Sequence, residues 1–249
     1  MVNQADRGHQ VDALRALHQG RSPGDPLVLP GPWDAASARV FEEAGFPALA
    51  TPSAGVAASL GYADGETPAE EMFAAVTRIV RAVSVPVSAD IEGGYGIAPK
   101  ELVERLLETG AVGCNLEDSA PGAGGAALED PHRQADWLAE VRAAAGDRIV
   151  LNARIDTFIR GVDDPVAKAV ERARLYVAAG ADCVYPIGAP IDALPRLRAE
   201  IEGPINVGAP PGGPSLREWG EAGATRITFG PGLQRRAAAA LREIADGLR

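Results

Sequence analysis

The stretch VPVSADIEGGYGIAPKELVERLLETGAVGCNLEDS, residues 85–119, carries the pattern on which the architecture turns. A short apolar run, VPVSAD (85–90), leads into a glycine-rich turn. A segment with helical spacing follows over 98–109, then a second apolar run, VGCNLE (112–117). Both runs have strand length and are apolar nearly throughout, as expected for a parallel sheet covered on both faces. Between helix and strand stands TGA, with glycine where a helix ends in a left-handed cap.

The unit recurs along the chain. Further strand candidates are PLVLP (26–30), PALAT (47–51), RIVLNAR (148–154), CVYPI (183–187), PINVG (204–208) and RITFG (226–230). The spacing predicts helices over 34–44, 68–83, 131–145, 164–179, 191–201, 214–222 and 232–248. Eight strand–helix units in succession predict an α/β fold, a (β/α)8 TIM-type barrel, with an open doubly wound sheet as the alternative. No Pro/Ser-rich linker interrupts them, so residues 1–249 are expected to form a single domain, with 1–25 as an N-terminal helix and lead-in.

Composition narrows the partners. The formal net charge is −10, which disfavours nucleic acid and anionic membrane surfaces. No apolar run is long enough to span a bilayer, and the polar MVNQADRGHQ start lacks a secretory signal's apolar core. Cys114 and Cys183 show no paired spacing and read as buried thiols of a cytoplasmic protein.

In a barrel the chemistry lies where strands end. Asp90 and Glu92 close strand three, two residues apart, and an extended strand would point both to one side. Strand four ends in NLEDS, with Glu117 and Asp118, and strand five in NARID, where Asn152, Arg154 and Asp156 alternate. The loop after strand two carries Asp64 and Glu66. Asp118 and Asp156 also suit helix N-caps. Asp90, Glu92 and Glu117 would repel one another unless a cation or Arg154 compensates them. None of His9, His18 and His132 lies at a strand end, and Cys114 is out of phase with Glu117. An oxygen-only site suits Mg2+ or Mn2+. The glycines after Glu92 let the backbone turn away and leave room above the ion. Lys100 and Lys168 both fall in helices, which argues against a Schiff-base aldolase. Arg154 can clamp a carboxylate through two hydrogen bonds. Metal plus arginine suggests enolate chemistry on a small anionic 2-oxo acid. Arg154, Glu117 and Tyr95 are the candidate catalytic groups, with Asn152 beside the substrate.

LPGPWDAASARVFEEAGF (29–46), SAGVAASLGYADGE (53–66), SADIEGGYG (88–96), GCNLEDS (113–119) and LNARIDTF (151–158) resemble, as an ordered set, the isocitrate lyase/phosphoenolpyruvate mutase superfamily. The resemblance runs from about residue 27 to 235 and implies a Mg2+-dependent barrel acting on C–C or C–P bonds beside a 2-oxo carboxylate. It implies that Asp90 reaches the metal directly, while Glu92, Glu117 and Asp64 hold metal-bound waters. Arg154 resembles the substrate-carboxylate arginine. Trp33 resembles a wall of the substrate site, and Ser53, Ala54 and Gly55 resemble its backbone donors. Assembly as a dimer or tetramer with an exchanged C-terminal helix is also implied; the terminal segment carries Leu241, Ile244 and Leu248 on one face.

The departures matter. The lyases of that family carry a Lys-Lys-Cys-Gly-His loop that is absent here, and Gly96 runs directly into the helix start IAPKELVERL. Phosphonopyruvate-type members have a histidine after strand six, where this chain has VYPIG with Pro186. Tyr62, Tyr95 and Tyr185 remain for proton work. The expectation is a metal-dependent C–C lyase or decarboxylase. The alternatives are a P–C bond enzyme, a barrel that binds a 2-oxo acid without turnover, and a sugar-phosphate site at VGAPPGG (207–213) and FGPG (229–232).

Overall fold

In the computed structural model, residues 4–119 and 127–249 are described; the first three residues of the lead-in lie outside them. The elements run α1 (Gln4–Leu17), β1 (Leu27–Val28), α2 (Ala35–Glu43), β2 (Leu49–Ala50), α3 (Ser53–Leu60), α4 (Ala69–Val80), β3 (Val87–Asp90), α5 (Pro99–Thr109), β4 (Gly113–Glu117) and α6 (Pro131–Ala145). They continue with β5 (Val150–Ile155), α7 (Pro165–Ala178), β6 (Cys183–Pro186), α8 (Leu194–Glu200), β7 (Asn206–Gly208), α9 (Leu216–Ala222), β8 (Arg226–Thr228) and α10 (Gly232–Gly247).

All strand pairs are parallel, in the orders β2-β3-β4-β5-β6 and β1-β8-β7. Single contacts close the two seams. Ala50 donates its N–H to Pro30 O at 3.1 Å, and Val184 donates to Pro204 O at 3.1 Å. The result is the expected (β/α)8 barrel. The helix-capping glycines Gly45 and Gly110 have φ of 89° and 86°. Ser215 and Glu218 form a capping box before α9.

Alternation along the strands separates two environments. Val87, Ala89, Cys114, Leu116, Leu151, Ala153 and Val184 face the helices and join the main core. Ser88, Asp90, Asn115, Tyr185, Asn206, Arg226 and Thr228 face the bore, around a cavity of about 30 Å³. That space holds a water or two. A second apolar cluster closes the other end of the barrel, where Val11 and Leu14 of α1 meet Leu27, Ala48, Ala50 and Val150. Gly113 makes room there: a Cβ at this position would sit 3.1 Å from Leu14 Cδ2 and 3.0 Å from Val150 O.

Three elements alter or extend these expectations. The helix read over 191–201 is a 3-10 turn, Ile191–Ala193, followed by α8. The SAG stretch, to which the spacing assigns no helix, is the first turn of α3; its small residues carry no amphipathic signal. The C-terminal stripe does not lie against its own barrel: Leu241, Ile244 and Leu248 are 65%, 61% and 83% exposed.

The plug at the base contains a buried pair. His18 donates from Nδ1 to Leu14 O at 2.7 Å, which leaves Nε2 to accept from Arg226 Nη1 at 3.3 Å. Burial first, then the Arg226 charge, lowers the His18 pKa from 6.5 to about 4; Arg21 adds to the lowering and Asp182 opposes it. A histidine lowered in the folded state contributes stability above pH 6.5 that is lost as pH falls towards 4. The loss amounts to about 3 kcal/mol over that window. Denaturant unfolding at pH 7 and pH 4 checks it. The acid loss should be smaller in His18→Gln than in the parent, and equal losses would show that His18 does not titrate against folding.

Candidate active site

The rim at the C-terminal ends of β3, β4 and β5 collects the charged groups. Asp90 ends β3, with its N–H donating to Thr51 Oγ1 at 3.1 Å. Its Oδ2 accepts from the Ser53 amide at 3.2 Å and the Ser53 hydroxyl at 2.8 Å, and its Oδ1 from the Glu92 amide at 3.3 Å. Ser53 therefore faces Asp90. Ala54 and Gly55 stand in the first turn of α3, where backbone N–H groups have no intrahelical acceptor.

Glu92 does not reach the rim by strand alternation, because β3 has already ended. Its φ is +52° and that of Tyr95 +57°, both left-handed and costly for residues other than glycine. Gly94 is needed between them: at φ +82°, a Cβ would lie 2.9 Å from Leu102 Cδ2 and 3.0 Å from the Trp137 ring. The loop turns because Ile91 is drawn fully into the core and Glu92 O accepts from the Glu117 amide at 3.0 Å.

Burial, then the charges of Asp90 and Asp64, raises the Glu92 pKa to about 7, with Arg154 opposing. Burial also raises Glu117, to about 8, against the pull of Arg154. Asp64 is exposed, and Glu92 feels only its charge. Among the buried side-chain atoms without a hydrogen-bond partner are Glu92 Oε1 and Tyr95 OH in this loop and Asn152 Oδ1 below it. Burial and the charges of Glu92, Asp90 and Glu117 hold the Tyr95 hydroxyl protonated. Asp90, Glu92 and Glu117 thus lack enough positive charge, and an oxygen atom is left over, which fits a divalent cation. Among the described residues, no three His, Cys, Asp or Glu side chains are grouped closely enough to hold a metal ion by themselves.

Arg154 is the counter-charge. Its Nη1 pairs with Glu117 Oε2 at 2.5 Å. Its Nε and Nη2 donate to Asp156 Oδ1 and Oδ2 at 2.7 and 2.9 Å. Burial works against the charge, but Glu117, Asp156 and Asp90 outweigh it, so Arg154 stays protonated. The bonds to Asp156 take two of its five N–H bonds, and the Nη1 end is ion-paired with Glu117.

The remaining candidates lie apart. Asn152 is fully buried one step below Arg154 and donates to Asn115 Oδ1. Trp33 is partly buried, edge-on to Phe41 at 6.4 Å. Tyr62 bonds Glu71 at 2.5 Å on the surface, and Lys100 and Lys168 are exposed. Sequence reasoning missed the side-chain role of Ser53, which it took only for its backbone, and the clamping role of Asp156. The NARID alternation already put Asp156 in phase with Arg154. It also missed Arg172 and Tyr176, which bind Asp118 Oδ2 at 3.0 and 2.8 Å from within α7 and have no motif signal.

The acid cluster framed by one arginine thus sits at the C-terminal rim, where barrels of this class carry their active sites. The sequence model of the phosphoenolpyruvate phosphomutase family matches residues 14–249. The chain belongs to the isocitrate lyase/phosphoenolpyruvate mutase superfamily. An uncharacterized protein of Mycobacterium tuberculosis is 32% identical over 93% of this chain and 90% of its own length. An oxaloacetate decarboxylase of Rhodopseudomonas palustris is 32% identical over 80% of this chain and 70% of its own. A crystal structure of 2,3-dimethylmalate lyase superposes with a TM-score of 0.83 at 28% identity, covering 96% of this chain and 87% of that one.

Proposed function

We propose that this single-domain barrel is a Mg2+- or Mn2+-dependent lyase of a small 2-oxo or 2-hydroxy (di)carboxylate, cleaving a C–C bond or releasing CO2. The observation that carries the reading is Arg154, held between Glu117 and Asp156 with Asp156 on its Nε/Nη2 edge, beside Asp90 and Glu92. Asp90 would hold the ion directly, and Glu92, Glu117 and Asp64 would hold it through water. When bound, the ion supplies Lewis acidity toward the oxygen that gains charge as an enolate develops. Arg154 receives the substrate carboxylate on its terminal N–H bonds. The Ala54 and Gly55 amides offer further donors at a helix N-terminus. Tyr95 keeps its proton and can donate a hydrogen bond to an oxygen that becomes more basic. The relatives named as decarboxylases and lyases support this reading, and the family description keeps a P–C bond enzyme as the second one.

The test is metal-dependent pyruvate release from oxaloacetate. Turnover above the metal-only background, abolished by EDTA, is expected. Tight oxalate binding without turnover of any 2-oxo or 2-hydroxy dicarboxylate offered would instead indicate a binding barrel.

The bare stripe on α10 supports self-association. Leu241, Ile244 and Leu248 need a cover that their own barrel does not provide. We therefore expect a homo-oligomer. Light scattering should give at least twice the 25.7 kDa of one chain, and Leu241→Glu with Ile244→Glu should lower it. A clean monomer in the parent protein would refute the assembly.

A further inference from the structure

Asp156 is a fully buried carboxylate, and its surroundings reach well beyond a helix cap. Oδ1 accepts from Arg154 Nε, and Oδ2 from both Arg154 Nη2 and the Ser119 hydroxyl. Ser119 Oγ accepts in turn from Arg160 Nε at 2.9 Å. The Asp156 backbone is anchored as well: its N–H donates to Asp118 Oδ1 at 2.9 Å. Asp118 is itself buried and braced by Arg172 and Tyr176 of α7.

A guanidinium is planar, with its N–H bonds arranged in fixed edges. Asp156 occupies the edge formed by Nε and Nη2. The edge between the two terminal nitrogens is left free by Asp156, with Glu117 Oε2 against its Nη1 end. A planar carboxylate can meet that edge with two parallel bonds only if the plane is held still.

We propose that Asp156 is a positioning residue for Arg154, reserving the arginine's terminal edge for the carboxylate of the substrate. The proposal rests on the reading of Arg154 as the carboxylate receiver. An amide cannot replace Asp156. Both of its oxygens accept from Arg154, so in Asp156→Asn one arginine N–H faces an NH2 group whichever way the side chain is turned.

The test compares two affinities by calorimetry in parent, Asp156→Asn and Ser119→Ala: Mn2+ alone, and oxalate at saturating Mn2+. In Asp156→Asn, oxalate should weaken at least about tenfold while Mn2+ changes by less than about threefold. Ser119→Ala, which removes one bond to Oδ2 at small risk to the fold, should weaken oxalate by roughly threefold and leave Mn2+ alone. Equal losses of both ligands would reduce Asp156 to a structural brace and overturn the proposal. Unchanged oxalate affinity in Asp156→Asn, or in Ser119→Ala should the first variant fail to fold, would overturn it too. A parent protein that binds Mn2+ but no oxalate would overturn the reading of Arg154 and this inference with it. Loss confined to the variants separates the two.

Discussion

Replacing Asp90 by alanine is expected to abolish metal-dependent turnover and to weaken Mg2+ binding by two orders of magnitude or more, about 3 kcal/mol, with the barrel still folded. The carboxylate accepts from the Ser53 amide and hydroxyl and from the Glu92 amide, so it is fixed before any ion arrives. A ligand oriented in advance contributes more than one that must be ordered on binding. The substitution leaves the Ser53 and Glu92 donors without their acceptor, at about 1–3 kcal/mol. The β3 ladder is made by the backbone and survives. Removing Asp90 also relieves Glu92 of the largest charge acting on it, so the Glu92 pKa should fall back from about 7. Calorimetry with Mg2+ decides the matter, and unchanged affinity would sink the assignment of Asp90 as the direct ligand.

Arg154→Lys should be nearly as damaging, for a different reason. Lysine keeps the charge but has one nitrogen, and that nitrogen cannot bridge Glu117 and Asp156 while presenting two parallel bonds to a ligand. Oxalate affinity at saturating Mg2+ should fall about 100-fold, close to 3 kcal/mol. Folding stability should drop as well, because Asp156 is fully buried and loses a bidentate partner. Oxalate binding equal to the parent's would show that Arg154 serves only to balance the acids. Asp90→Ala should chiefly weaken the metal and Arg154→Lys chiefly the organic ligand, so the pair maps the two halves of the site.

The architecture was legible because it rests on local rules. Strand-length apolar runs, glycines past helix ends and helical spacing each depend on neighbours in the chain, and β3–α5–β4 sits within a residue or two of its reading. Among the described residues, the helix that escaped notice, α3, is built of Ala, Gly and Ser with only Val56 and Leu60 as larger apolar residues, a pattern that carries no stripe. Parts of the site were legible for the same reason. Asp90, Glu117 and Arg154 end successive strands, and the barrel rule alone brings strand ends to one rim.

Other features depend on contacts between segments distant in the chain, and composition has no access to them. Glu92 arrives through a left-handed turn imposed by the burial of Ile91 and the tight packing at Gly94, not through the two-residue spacing that suggested it. Asp156 reads as an N-cap until Arg154 and Ser119 are seen on its two oxygens. Spacing puts Leu241, Ile244 and Leu248 on one helix face, but only the fold shows that their own barrel leaves this face largely exposed. Spacing along a strand or helix constrains which face a residue occupies, because backbone geometry repeats every two or 3.6 residues. Which group faces it across the gap is set by long-range packing, and only the assembled barrel supplies that.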